Sequence, residues 1–150
     1  MSVYIKAICA VFLLCFSFIS QADTYIVKKS SYSVDETLNR LEAVLKKKGI
    51  TVFARVDHKS GADKVGISMR PTQLLIFGNP KMGTPLMNEN RLMGLDLPMK
   101  ALAWKDEVSQ VWLGYLNPDK LQQRHNIKNK KIINKMKQAL DGLTNKALEN

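Results

Sequence analysis

A chain of 150 residues with 45% apolar content suits one domain with a single packed core. Both cysteines, Cys9 and Cys15, fall within the first 22 residues, which carry the pattern of a cleaved leader. The mature chain is therefore expected to lack a disulfide framework, a thiolate nucleophile and a cysteine-ligated zinc site. The formal charge of +10 is unevenly spread.

Residues 1–22 have the three parts of a signal peptide. A short cationic start ends at Lys6, an apolar run covers residues 7–19, and Ser20 and Ala22 place small side chains at positions −3 and −1. We expect cleavage before Asp23 and a periplasmic or secreted protein. An uncleaved membrane anchor is the alternative, but the apolar run is shorter than the roughly 20 residues that span a bilayer.

The first elements of the mature chain are a strand and a helix. Residues 24–27 favour a short β-strand. Ser33 and Glu36 have the spacing of a capping box, and consecutive lysines followed by Gly49 are typical of a helix end. The helix between them should bury a stripe formed by Val34, Leu38, Leu41 and Leu45.

The middle of the chain alternates strands with breaks. Residues 50–56 predict a strand, residues 60–66 one or two helical turns in a polar connection that begins at Asp57, and residues 74–77 a buried strand. Breaks follow at Gly78-Asn79-Pro80 and Gly83-Thr84-Pro85. Because Thr84-Pro85 has the form of an N-cap with proline at the first helical position, we expect a helix over 86–93 that stops at Gly94.

The last third predicts a hairpin and two helices. Residues 100–105 and 110–116 form strands separated by a short loop, and Asn117-Pro118 starts a helix through Arg124. A final helix, 129–148, carries one apolar stripe: Ile133, Met136, Leu140, Leu143 and Ala147. The predicted fold class is α+β, with an antiparallel sheet, helices packed on one face, and a basic C-terminal helix.

Several clusters of rare residues occur in a fixed order, and together they resemble the bacterial family called domain of unknown function 302. They are FGNPKMGTPLM (77–87), GLDLP (94–98), WKDE (104–107), Asn117-Pro118 and Arg124-His125. The resemblance covers about residues 31–125. It implies a compact α+β fold with a curved antiparallel sheet gripped by helices, often dimeric, and no established activity. Many relatives carry a cysteine where this chain has Met99, so their thiol chemistry does not transfer.

These observations divide the chain into a signal peptide (1–22), an α+β domain (23–126) and a basic C-terminal helix (127–150). The segment 78–93 is the predicted binding site, because its glycines and prolines fix the backbone path between two apolar strands. A small ligand or partner segment would contact six residues: Asn79, Gly83, Thr84, Met87, Trp104 and His125. The alternative is that Asn79 and Thr84 serve only as turn and cap residues.

Two other functions stay open. His125 is a candidate acid or base of a hydrolase or oxidoreductase, whereas His58 is expected at the surface. Methionine sulfur suits copper(I), so a cluster of five in an exported protein invites copper or haem handling, although core packing explains them as well. The five are Met69, Met82, Met87, Met93 and Met99.

A basic surface is predicted near the C-terminus, where Arg124, Lys128, Lys131 and Lys135 recur at helical spacing. Such a stripe could bind anionic lipid or an acidic partner, or it could be a solvated helix face. Nucleic acid is not expected, because the chain is exported and the stretch lacks aromatic residues for stacking. We therefore expect an exported binding or accessory module rather than an enzyme, with no cofactor or metal site assigned and a homodimer as one candidate assembly.

Overall fold

The computed structural model of the chain describes residues 24–150, so the predicted signal peptide and both cysteines lie outside the described residues. Residues 24–150 form five strands, five α-helices and one 3-10 segment. In chain order they are β1 (Tyr25–Ser30), α1 (Val34–Lys47), β2 (Thr51–Asp57), α2 (His58–Lys64), β3 (Thr72–Gly78), α3 (Pro80–Glu89), the 3-10 segment (Arg91–Leu95), β4 (Met99–Lys105), β5 (Val111–Leu116), α4 (Pro118–His125) and α5 (Lys130–Leu148).

The strands form one antiparallel sheet in the order β1-β5-β4-β3-β2. The predicted hairpin between β4 and β5 is present, and Asp106 holds its loop by accepting hydrogen bonds from the backbone N–H groups of Val108 and Gln110. The prediction of an α+β fold with an antiparallel sheet is confirmed.

Alternate residues of each strand point to opposite sides of the sheet. The inner face contributes the buried side chains, among them Leu75, Phe77, Met99, Ala101 and Leu113, and helices α1 and α5 lie against each other over it. The outer face carries Val27, Val56, Leu74, Leu102, Trp104 and Trp112, none of which belongs to the buried core.

Helix α1 forms as its sequence predicts. The Ser33 hydroxyl accepts a hydrogen bond from the Glu36 backbone N–H at 3.1 Å, and the turn after the helix uses Gly49 at a φ of +66°. The four stripe residues, Val34, Leu38, Leu41 and Leu45, are all buried. The helical turns expected over residues 60–66 form helix α2, which begins two residues earlier, at exposed His58, because the Asp57 carboxylate caps it.

Helix α5 belongs to the core. Asn129 caps it, and all five residues of its predicted apolar stripe are buried. Its lysines lie on the solvent side. Within residues 24–150, no helix combines the length and the hydropathy that crossing a membrane requires.

Lys28 on β1 fastens the end of α5 to the sheet. Its ammonium donates to the Asp141 carboxylate at 2.6 Å, the Thr144 hydroxyl at 2.9 Å and the Asn145 side-chain carbonyl at 2.5 Å. The side chain of Lys28 is only 17% exposed, so these acceptors replace much of its hydration. The same lysine holds the pKa of Asp141 below its ordinary value by hydrogen bonding and by its charge.

We predict that Lys28→Gln lowers the free energy of unfolding by about 1–3 kcal/mol, because three charge-assisted hydrogen bonds are lost together. Urea unfolding of the purified protein measures the change. Lys29→Gln is the matched control, since Lys29 is the next residue on β1 and is exposed on the outer face. Equal losses in the two variants would contradict the anchoring role of Lys28.

Candidate functional site

An apolar recess opens on the inner side of the sheet, where the end of β3 meets helices α3 and α5. Its volume is about 210 Å³. We call it the recess, and it is lined by Ile50, Phe53, Phe77, Gly78, Asn79, Pro80, Met82, Gly83, Thr84, Met87, Leu97, Pro98, Met99, Met136, Ala139, Leu140 and Leu143. No lining residue is charged, and the only polar side chains among them are those of Asn79 and Thr84.

The path from β3 into α3 brings two apolar side chains together at one end of the recess. A Cβ on Gly78 would lie 3.3 Å from the Pro98 Cβ and 3.5 Å from the Phe53 ring, so a glycine lets these groups approach the backbone closely. Asn79 then accepts a hydrogen bond from the Lys81 backbone N–H at 2.9 Å, and Pro80 takes the first helical position.

The prediction that Thr84 caps this helix is wrong. Helix α3 starts at Pro80, five residues before Pro85, so Gly83, Thr84 and Pro85 all lie inside it. The earlier start aims Leu86 into the core, where it is fully buried. The predicted end at Met93 is wrong as well, because α3 ends at Glu89 and a separate 3-10 segment follows.

Gly83 has no packing reason to be a glycine. A Cβ at this position would meet the Leu97 side chain at 3.5 Å and Met87 at 3.9 Å, which are ordinary contact distances. Glycine inside a helix is nevertheless about 1 kcal/mol less favourable than alanine. Because Gly83 lines the recess, the absence of a side chain at this position leaves more free space there.

Four methionines line the recess, which gives it a soft and adaptable surface. Met82, Met87 and Met99 come from the predicted methionine cluster, and Met136 comes from α5. Two members of the cluster lie elsewhere, since Met93 is fully buried in the core and Met69 is exposed. Within residues 24–150, no group of three or more His, Cys, Asp and Glu side chains is placed to hold a metal ion.

Of the six predicted contact residues, four line the recess: Asn79, Gly83, Thr84 and Met87. Trp104 does not. In β4, Met99, Ala101 and Ala103 point inward, whereas Trp104 points to the outer face, where its ring lies 3.0 Å from the position of a Cβ on Gly114. The residues of α5 that line the recess were predicted as core. Their apolar stripe of Met136, Leu140 and Leu143 was the sequence signal that could have identified them as lining.

His125 lies in a separate cluster. Its Nε2 is 2.6 Å from the Asp96 carboxylate, whose other oxygen accepts from Arg124 at 2.7 Å, and the Asn90 amide donates to the His125 carbonyl at 3.0 Å. The imidazole side chain is only 6% exposed. The carboxylate partner required by the catalytic hypothesis is thus present, but both of its oxygens are already hydrogen-bonded, and the cluster joins the 3-10 segment to α4.

The pKa of Asp96 lies below its ordinary value. Burial alone would raise it, but hydrogen bonds from His125 and Arg124, together with the positive charge of Arg124, outweigh that effect. Asp96 was part of the family-like GLDLP cluster, yet no local spacing indicated that it would meet His125, which lies 29 residues later.

The continuous helix that would align the predicted basic surface does not form. Helix α4 ends at His125, Asn126 adopts a left-handed conformation with φ of 52°, and α5 begins at Lys130. Arg124 pairs with Asp96, and Lys128 bonds the Asn126 side chain. Lys131 and Lys135 remain exposed on one side of α5.

A family model described as "Domain of unknown function DUF302" matches residues 26–143. The chain belongs to this family. The match extends beyond the resemblance ending near residue 125 and takes in most of α5, in agreement with the buried stripe of that helix. A crystal structure of an uncharacterized conserved DUF302 protein from Bacillus stearothermophilus has the same fold, with a TM-score of 0.76 and 24% sequence identity over 84% of this chain and 99% of that one.

Curated relatives include proteins named fluoride-specific ion channel FluC 1 in Brucella suis and FluC 2 in Brucella melitensis. Each is 48% identical to this chain over 102 residues. The aligned part is 68% of this chain but only 40% and 38% of those proteins. The chain therefore spans about two fifths of the length of these relatives, and their names describe the longer proteins.

We predict that Gly83→Ala raises the free energy of unfolding by about 0.5–1 kcal/mol, because alanine is the better helix former and its methyl group fits at van der Waals distance. Urea unfolding measures the change. Gly142→Ala in α5 is the matched control, since nothing lies within 4 Å of its Cβ position, and it should stabilise by a similar amount without touching the recess. A loss of stability confined to Gly83→Ala would mean that Leu97 cannot accommodate the methyl group.

We predict that Asp96→Asn lowers the free energy of unfolding at neutral pH by about 1–3 kcal/mol through loss of charge-assisted hydrogen bonds. Because the folded-state pKa of Asp96 is lowered, its stabilisation is present above the unfolded pKa of about 3.9 and is lost as the pH falls through the folded value. The difference between wild type and variant should therefore shrink in urea unfolding series taken from pH 7 to pH 3.

Arg124→Met provides the comparison for Asp96→Asn. The Arg124 side chain is 52% exposed, so removing its ion pair should cost less than removing the carboxylate. A pH-independent difference between Asp96→Asn and wild type would contradict the assignment.

Proposed function

We propose that this protein is an exported accessory module that binds a small apolar ligand in the recess. The observation that carries the proposal is an uncharged recess lined by four methionines and widened by a helical glycine that packing does not require. Export to the periplasm or the medium is part of the proposal and rests on the leader pattern of residues 1–22.

The lining defines the class of ligand. A cavity of about 150 Å³ lined by apolar side chains holds benzene, so 210 Å³ suits a neutral molecule of one substituted ring or two fused rings. Asn79 is already engaged as the cap of α3, which leaves few polar groups to orient a polar ligand. An apolar side chain from a partner segment is the second class of occupant that this lining would accept.

Binding is favoured over catalysis by the position of His125. Its imidazole is nearly buried, and the carboxylate beside it is shared with Arg124. A general base must reach a proton of the substrate, and this imidazole is buried with its Nε2 held by the Asp96 carboxylate. We therefore propose no reaction for this chain.

The fluoride ion in the names of the Brucella relatives does not suit the recess as a ligand. A fluoride ion requires cationic or hydrogen-bond donor groups, whereas the recess has no charged lining residue. Since the matched region forms about two fifths of those relatives, we propose that it has an accessory role there as well, beside the part that conducts the ion.

Thermal unfolding with neutral aromatic probes tests the proposal. Benzene and naphthalene should raise the melting temperature of the purified protein by mass action on the folded state, whereas sodium fluoride should act no differently from sodium chloride. Ala139→Leu places a larger side chain in the recess and should abolish the response to the probes. Ala43→Leu, on the exposed side of α1, is the matched control and should respond like wild type.

Two outcomes would contradict ligand binding in the recess. One is a melting temperature that neither probe raises. The other is an Ala139→Leu variant that responds as strongly as wild type. If an apolar peptide raises the melting temperature where the aromatic probes fail, the occupant is a partner segment.

A further inference from the structure

The edge strand β2 contains a β-bulge at Phe53. In the pairing of β2 with β3, Val52 lies opposite Phe77. The next pair joins Ala54 to Ile76, which leaves Phe53 without a residue opposite it on β3. Residues directly opposite each other project to the same side of a sheet, so Val52 points inward with buried Phe77. By the same argument Ala54 points outward, and the alternation of β2 changes phase at Phe53.

The bulge brings the Phe53 side chain to the recess. A regular strand would alternate Phe53 with inward-pointing Val52 and place its ring on the outer face. The ring instead lines the recess, and its Cε2 atom lies 3.5 Å from the position of a Cβ on Gly78. A β-bulge beside a functional site commonly re-aims a side chain in this way. The irregularity in β2 therefore has a direct effect on the recess.

Arg55 holds the phase change in place from outside the recess. It lies opposite buried Leu75 and so points inward. There its guanidinium donates to the Asn39 side chain of α1 at 2.7 Å and to the Gln73 side chain of β3 at 2.8 Å. A regular continuation of β2 from Val52 would turn Arg55 to the outer face and break both bonds. The fold thus fixes the position of Phe53 through contacts that involve no ligand.

Phe53 lies at the opening of the recess. The residue is 54% exposed, whereas Phe77, the other aromatic lining residue, is only 3% exposed in the wall. A molecule seated in the recess would cover the exposed part of the Phe53 ring and remove apolar surface from water. If that molecule has an aromatic ring, stacked or edge-to-face contact with Phe53 adds stabilisation beyond the area that is buried.

We propose that Phe53 determines the specificity of the recess by selecting neutral planar aromatic ligands over saturated ligands of the same size. The inference rests on the proposed binding function and narrows its class of ligand. Met82 and Met87 in the lining favour the same choice, because thioether sulfur makes favourable contacts with aromatic rings. The ligand is neutral, because no lining residue carries a charge that would pair with an ionised group.

Titration calorimetry of the purified protein with two matched probes tests the proposal. Benzyl alcohol and cyclohexylmethanol have the same number of heavy atoms and differ only in their rings. Comparing the ratio of their dissociation constants between variants cancels the greater hydrophobicity of the saturated ring, as in a double-mutant cycle. Phe53→Leu keeps an apolar side chain without the aromatic ring and should reduce the relative preference for benzyl alcohol about two- to tenfold. Phe53→Tyr keeps the ring and should keep the wild-type ratio.

Tyr25→Leu is the matched control, because Tyr25 is a 61% exposed aromatic residue on the opposite edge strand, β1, and does not line the recess. It should also keep the wild-type ratio. An unchanged ratio in Phe53→Leu, or a ratio lost equally in Phe53→Tyr, would overturn the role of Phe53 and leave the proposed binding function intact. A wild-type protein that binds neither probe would overturn the proposed function, and this inference with it. Urea unfolding of each variant checks that it is folded, as expected for a substitution at a half-exposed position.

Discussion

The alternation of side chains along the pleated strands is the constraint on which the rest of this structure depends. In β3 and β4 most side chains on both faces are apolar, so each strand contributes to two different apolar surfaces. Phe77 and Met99 face inward and reach the recess, while Leu74 and Trp104 face outward. A recess and an apolar sheet surface thus arise from the same residues of the chain on opposite sides of one sheet.

Basic side chains of the sheet form specific polar contacts with the helices that cover it. Lys28 joins β1 to the end of α5. Arg55 on β2 joins the sheet to α1 by donating to Asn39 at 2.7 Å, and it also donates to Gln73 on the neighbouring strand β3 at 2.8 Å. In residues 24–150 no buried side-chain nitrogen or oxygen lacks a hydrogen-bond partner. These side-chain links connect the sheet to two of the helices that cover it.

Most of the fold could be predicted from local patterns, because caps and apolar stripes act within a few residues. The Ser33 cap, the Asn117-Pro118 start and the stripe of α5 are all of this kind. The start of α3 could not be chosen locally, since Asn79-Pro80 and Thr84-Pro85 carry the same signal. The burial of Leu86 agrees with a start at Asn79-Pro80, and burial depends on the whole fold.

The site was less predictable because its parts meet only after folding. Asn79, Gly83 and Met87 could be assigned to one segment, but Met136 and Ala139 reach the recess from a helix about 50 residues away. Trp104 was misassigned because an apolar run in a strand does not reveal which of its two faces a residue occupies. The pairing of Asp96 with His125 likewise joins two segments that no spacing rule connects.

Departures from local helix rules concentrate in α3, beside the recess. Helices α1 and α5 follow the rules of capping and stripe formation, whereas α3 contains Gly83 and Pro85 and buries a single side chain. Helix α5 also contains a glycine, Gly142, but proline in addition removes a backbone donor, so Pro85 weakens α3 relative to α1 and α5. Positions where a sequence departs from local stability rules are those where function is expected. Here they coincide with the methionine-lined side of the recess.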